Sequence, residues 1–381
     1  MPAKLPVAKP HFGQPSWMVA SDRVQARVTR TGGMMGPVSF DLGGRSVEPL
    51  AIAPWWNEPL KSVGSPLMQA MRGDFFCLPF GYDPKANPPV APHGPTANAA
   101  WRIRSCNQDK KTSSISLAMR LTDGAHVDKK IELRSGQTAI YVSHTFNGLC
   151  GKQSFGHHPI LRFSAGAKSG MVSTGPMRFG QVFPFEFEDP SKGGYSSLRT
   201  GAWFKALKRV PLREGGFTDL SCYPQREGFE DLVMIAHRRN ALFAWTAVVH
   251  ASQRYAWFSL KNPALLPSTV LWMSNGGRHY PPWSGRHRHV MGVEDVCSYF
   301  NLGRGPSVRP NPWQHRGAPT CLDFSGSGQT VIPIIFGVVA VPENYARVAE
   351  IQPVGDTIVL ISETGQRVQT RIDLSFLSTN A

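Results

Sequence analysis

Between residues 113 and 146 apolar and polar side chains alternate with a period of two, and this pattern constrains the fold more than any other feature of the chain. Ile115, Leu117, Met119 and Leu121 share one parity, Val127, Ile131 and Leu133 the next, and Ile140, Val142, His144 and Phe146 a third. Thr122-Asp123-Gly124 and Ser135-Gly136-Gln137 separate the runs with residues suited to tight turns. Successive side chains of a strand point to opposite faces, so the three runs predict an antiparallel meander with one buried face. Shorter runs at 24–28, 233–235, 241–250, 255–260 and 269–273 carry the same signal, each bounded by Gly, Pro, Asn or charged residues. The 37 glycines and 32 prolines follow no period and read as punctuation between many short strands. The expected fold is all-β, a large antiparallel sandwich of two sheets without long helices.

The main sandwich is expected over residues 20–300. Residues 301–319 are rich in Gly, Pro and Arg and read as an excursion over the surface rather than a linker. Beyond them, the apolar run 331–341 and a hairpin of 357–361 with 368–374, turning at Thr364-Gly365, predict further strands over 301–381. These strands either complete the sandwich or form a small appended unit. A short helix is expected at 344–350, and no internal repeat is present.

The formal charge is +15, from 41 Lys and Arg against 26 Asp and Glu, which favours anionic partners. The basic residues come in twos and threes, as at 205–209, 238–239 and 286–288, with no basic helix or tail to join them. A nucleic-acid partner is therefore not the expected one. No stretch reaches the roughly 18 apolar residues of a membrane-spanning helix, and no apolar run of signal-peptide length precedes Gln14. The expected location is the cytoplasm. Six scattered cysteines without a CxxC pair read as free thiols.

Five local patterns follow one another along the chain: Arg72-Gly73-Asp74 running to Pro79-Phe80-Gly81; Pro92-His93-Gly94 with Trp101; Asn147-Gly148 with Phe155-Gly156-His157-His158-Pro159; Phe229-Glu230-Asp231; and Gly292-Val293-Glu294-Asp295. In this order they resemble the aldose 1-epimerase, or galactose mutarotase-like, superfamily over most of the chain, from about Val24 to Tyr299. The resemblance implies a β-supersandwich with an open groove across one sheet in which a sugar is held. Carried over, His158 resembles the general acid, Glu294 the general base, and His93 and Asp231 the sugar-orienting groups. Arg72 resembles a basic residue that some members place near the substrate. Interconverting anomers needs a base on the anomeric hydroxyl and an acid on the ring oxygen, roles that a carboxylate and an imidazole suit without any cofactor. The expected partner is a small sugar or sugar phosphate, turned over by an isomerase or, in the alternative, bound without turnover.

Each assignment has a rival in the residues themselves. His157 and His158 alternate across an extended segment, so only one of them faces a groove. Glu230 and Asp219 compete with Asp231. Trp272, with Trp55, Trp56, Trp101, Trp257 and Trp283, offers flat rings suited to sugars, but large sandwiches also bury Trp in their cores. His287-x-His289 places two imidazoles on one parity, yet Arg286 and Arg288 interleave and no third ligand follows at a suitable spacing, so no metal site is expected. The stretch 275–289, with its paired glycines and prolines, reads as a loop that overhangs the groove. The pattern also departs from the family: Pro95-Thr96-Ala97-Asn98 follows His-Gly where some branches carry Arg, and Asp-Val-Cys-Ser-Tyr follows Glu294.

Overall fold

The computed structural model describes residues 5–60 and 64–378. Two large antiparallel sheets face one another. The predicted meander is present as Thr112–Arg120, His126–Arg134 and Ala139–Asn147, and it forms one side of a nine-stranded sheet. Arg102–Gln108 closes that edge, and Gln329–Ala340 adds to the other side of the meander, pairing with both Ala139–Asn147 and Tyr255–Lys261. The second sheet has eight strands, with Phe229–His237, Ser268–Asn275 and Val290–Cys297 at its centre. Phe155–His157 and Phe76–Cys77 follow toward one edge. A five-stranded N-terminal sheet, from Lys9–His11 to Ser46–Val47, packs on the same core.

Three apolar layers hold these sheets together. The first lies between the two large sheets, where Leu117, Ile131 and Val142 of the meander share a cluster with Val233, Ile235, Leu271 and Val293 of the second sheet. The second covers the outer face of the eight-stranded sheet, where Leu232, Met234, Val270 and Trp272 meet Trp55, Phe75, Phe300 and Trp313 from loops and short helices. The third covers the outer face of the nine-stranded sheet, against a three-stranded sheet of Val348–Val354, Thr357–Ser362 and Arg367–Arg371. The central strands of the second sheet are thus buried on both faces. That is why they read as apolar runs broken by isolated or paired polar residues, such as Glu230-Asp231 and Glu294-Asp295, instead of alternating.

The structure departs from expectation at 344–350. The chain turns at Asn344, whose φ is +63°, and then runs extended as Val348–Val354. Pairing with Thr357–Ser362 and burial of Val348 and Ile351 outweigh the local helix propensity. The excursion 301–319 contains two short helices, Arg304–Val308 and Pro312–His315, and its Trp313 is fully buried. Among the described residues no helix is long and apolar enough to cross a membrane. All six cysteines are free thiols.

Candidate functional site

The outer face of the eight-stranded sheet carries the polar residues that its apolar runs leave unexplained. Along Val290–Cys297 the side chains alternate, so Glu294 faces outward while Asp295 faces the space between the sheets. Gly292 shares the outward parity, and a Cβ there would come within 2.3 Å of the Glu294 carboxylate and 3.2 Å of the Trp272 Cβ. Only glycine leaves the carboxylate its place. One strand over, Phe155–His157 leads into Pro159, and the same alternation settles the paired histidines. His157 turns inward, its Nδ1 3.1 Å from Asp74, and His158 turns outward, its Nε2 3.2 Å from Glu294 Oε1.

His158 is boxed by rings. Phe75 stacks on it at 4.5 Å, and His93 and Trp272 form T-shaped pairs with it at 5.1 and 5.8 Å. Its backbone N–H donates to Phe75 O and to Asp74 Oδ1. His93 enters from the loop before Gly94–Asn98 in a left-handed conformation, with Nδ1 accepting the Gly81 N–H. These side chains line a cavity of about 160 Å³, closed further by Leu232, Arg278, Trp283 and Asn301. A wider chamber of about 580 Å³, bounded by Tyr82, Tyr280 and Glu188, shares Phe187, Arg278 and Asn301 with it.

Burial shifts the titration of these groups. Burial pushes the Glu294 carboxyl well above the usual carboxylate range, with Asp295 behind it adding to the effect. Burial also holds the His158 imidazole well below its usual value, and nearby His93 contributes. His93 itself is brought down to about 4 by burial. The Glu294 and His158 shifts both favour the uncharged forms of the two groups, whose Oε1 and Nε2 lie 3.2 Å apart.

Beside them lies a second polar chain. Glu230 accepts from Trp272 Nε1 at 3.0 Å and from Ser274 Oγ at 2.8 Å, and Ser274 Oγ lies 2.6 Å from His287 Nδ1. Burial pushes Glu230 up to about 7, against the pull of Arg278. Arg278 binds Glu188 at 2.6 Å and sits 4.5 Å from the centre of the Trp283 ring. The loop 275–289 thus overhangs the groove and supplies both Arg278 and Trp283.

Of the residues singled out in the sequence, His93, His158, Trp272 and Glu294 converge on this cavity. Three do not. His157 lies between the sheets. Asp231 points away from Glu230's side of the strand, where its oxygens accept the Ser197 and Leu198 N–H groups and the Ser197 hydroxyl. Arg72 is fully buried and gives its guanidinium to the carbonyls of Ala70, His11 and Phe12, remote from the groove. Glu230, the rival of Asp231 in the sequence, lies on the groove side of the strand, whereas the sequence motifs do not point to Arg278 or Glu188. The alternating aromatic and acidic residues of 183–188 were the available signal for Glu188. Among the described residues no group of three or more His, Cys, Asp or Glu side chains is arranged to hold a metal ion. His287 is taken up by Ser274 and by stacking on Trp272 at 5.4 Å.

This architecture, two large sheets with a polar groove on the outer face of one, is the galactose mutarotase-like fold. Comparison with solved structures finds it in an Escherichia coli K12 protein provisionally named an aldose 1-epimerase, at TM-score 0.57 and 13% identity over 86% of this chain and 99% of that one. It finds it again in a galactose mutarotase-like protein from Clostridium acetobutylicum, at TM-score 0.54 and 12% identity over 88% and 98%. A galactose mutarotase related enzyme from Lactobacillus acidophilus matches at TM-score 0.53 and 8% identity over 86% and 99%. No protein-family model and no curated protein sequence matches the chain.

Proposed function

We propose that the protein interconverts the anomers of an aldose by acid/base catalysis at His158 and Glu294. The observation that carries this reading is the 3.2 Å contact of these two groups on the floor of one aromatic-lined cavity. The reaction needs one group that gives a proton and one that takes one. A neutral imidazole beside a protonated carboxyl holds the same proton inventory as an imidazolium beside a carboxylate. Transfer of that single proton from Glu294 to His158 arms both at once, leaving a base for the anomeric hydroxyl and an acid for the ring oxygen. Rotation about the first carbon–carbon bond of the open aldehyde and reclosure with the roles exchanged gives the other anomer. Trp272 and Trp283 provide flat faces for the pyranose, and Arg278 and His93 supply polar contacts.

The wider chamber beyond Phe187 gives room for a substituent on the sugar. A phosphate there would meet Arg278, whose charge Glu188 already balances. A neutral aldose is thus the first substrate to try and a sugar phosphate the second. Saturation-exchange NMR over both classes tests the proposal. A catalytic pair predicts faster anomer exchange for at least one sugar, lost by about 10²–10⁴-fold in Glu294→Gln and in His158→Asn. Exchange no faster than in buffer for every sugar would remove it.

One observation favours a second reading, a protein that binds sugar without turning it over: His158 Nε2 and Glu294 Oε1 already lie against each other, 3.2 Å apart. That reading predicts sugar affinity that survives both substitutions, with no exchange in the wild type.

A further inference from the structure

A second cavity, of about 570 Å³, opens where the N-terminal sheet meets the loop 286–288, and it shares no lining residue with the groove. Its walls carry Arg27, Arg162, Arg286 and Arg288 against one carboxylate, Glu48. Three of these arginines have carboxylate neighbours. Arg162 lies 3.5 Å from Glu48, Arg286 grips Glu58 through two bonds of 2.5 and 2.7 Å, and Arg288 pairs with Glu227. The Arg162 and Arg288 pairs are exposed single contacts, weak enough to be exchanged for a better anion, whereas the bidentate Arg286–Glu58 pair stays in place. The Arg27 guanidinium has no hydrogen-bonding or ionic partner among the described residues. Behind the wall, buried Arg72 adds a second cation balanced by carbonyls alone.

The aromatic side of the cavity is held under strain. Phe12 has φ of +45°, a left-handed conformation unfavourable for an aromatic residue, and the residue is 39% exposed. Gly13 follows at φ +73°, where a Cβ would come within 2.5 Å of Trp56 O. The Arg72 guanidinium clamps this turn by donating to His11 O and Phe12 O at 3.2 and 2.8 Å. Backbone strain of this kind persists only where surrounding structure over-determines it, and it gathers at ligand-holding segments. Here it presents Phe12, packed edge-on against Trp56 at 5.0 Å, to a cationic cavity of small-molecule size.

We propose that this cavity binds a small phosphorylated ring compound, with the phosphate held by Arg27 beside Arg162 and the ring laid against Phe12 and Trp56. Four guanidinium groups against one carboxylate on the cavity wall, with Arg27 unpaired among the described residues and Arg162 only in an exposed contact with Glu48, suit a phosphate dianion, and the guanidinium fork fits its oxygens. A sugar phosphate and a nucleoside monophosphate share this chemistry.

Calorimetric titration at low salt with inorganic phosphate, a hexose 6-phosphate and adenosine monophosphate provides the test. The expected result is binding of the ring-bearing ligands to the wild type, weakened at least about tenfold in Arg27→Gln. Phe12→Ala is expected to weaken the ring-bearing ligands while sparing inorganic phosphate. Arg178→Gln, distant on the Gly317 side, should change nothing. The ratio of the hexose phosphate to the nucleotide affinity identifies the source. Absence of binding by the wild type, or unchanged binding in a folded Arg27→Gln, overturns the proposal. A salt-steep affinity for duplex DNA that neither phosphate ester displaces overturns it as well, in favour of a polyanion surface.

Discussion

Glu294 and Asp295 are neighbours in the chain that serve opposite faces of one strand: Glu294 meets His158 in the groove, and Asp295 meets Lys261 between the sheets. Lys261 and Asp295 are both fully buried. Lys261 also donates to Ser268 O and Thr269 Oγ1 at 2.7 Å, and Ser259 Oγ donates to Asp295 Oδ2 at 2.7 Å. The floor under the candidate base is thus an ion pair closed off by hydroxyls.

Removing one member of that pair leaves a charge with nowhere to go. Lys261→Met is expected to destabilise the fold by about 3–5 kcal/mol in urea denaturation. Replacing both groups, Lys261→Met with Asp295→Leu, should recover most of the loss, because the desolvation of both charges disappears along with their attraction. A double variant no more stable than the single one would show that the pair is not the source of the effect.

The two adjacent histidines should separate by experiment. His157→Leu takes the partner from Asp74, which still accepts the His158 N–H at 3.2 Å. A loss of about 1–3 kcal/mol is expected, while anomer exchange per folded molecule stays within about threefold. His158→Asn should do the reverse, with stability nearer the wild type and exchange lost.

Glu230 makes stability depend on pH. Its folded value of about 7 lies above the ordinary 4.5, so between these pH values the native state keeps a proton that the unfolded chain has released. Stability therefore falls as pH rises from 4.5 to 7, by an amount on the order of 3 kcal/mol. In Glu230→Gln, chemical denaturation across that window should lose this decline. An unchanged slope would place the titration elsewhere.

Asp231 holds the segment at Ser197 and Leu198 through three hydrogen bonds at 2.6–2.9 Å. Asp231→Ala should cost about 2–4 kcal/mol of stability, seen as a lower urea midpoint. Sugar affinity should stay unchanged, since the side chain lies away from the groove.

The meander was legible because one of its faces is covered by the other sheet and the alternation survives in the residues. The central strands of the second sheet hid their orientation for the opposite reason. With both faces buried, parity at Glu230-Asp231 cannot say which carboxylate lies on the groove side of the strand, and the resemblance points to the inward-facing Asp231. His158 was separable from His157 only as one of two alternating positions, and the packing of Phe75 and Asp74 around them decides between the two. Arg278 and Glu188 lie 90 positions apart in the chain and meet only in the fold. Arg72 misled because a buried cation saturated by carbonyls looks the same in a sequence as one that faces a ligand. The helix expected at 344–350 failed because a strand partner at 357–362 outweighs local propensity.

The strand Gln329–Ala340 has a consequence for the order of assembly. It lies between Tyr255–Lys261 and Ala139–Asn147 and is hydrogen-bonded to both. While the chain is being synthesised, those two strands have no shared neighbour until residue 340 has emerged from the ribosome. From the completion of Lys261 until Ala340 is made, the nascent protein therefore carries two strand edges that wait for the same partner, and the middle of the large sheet closes late.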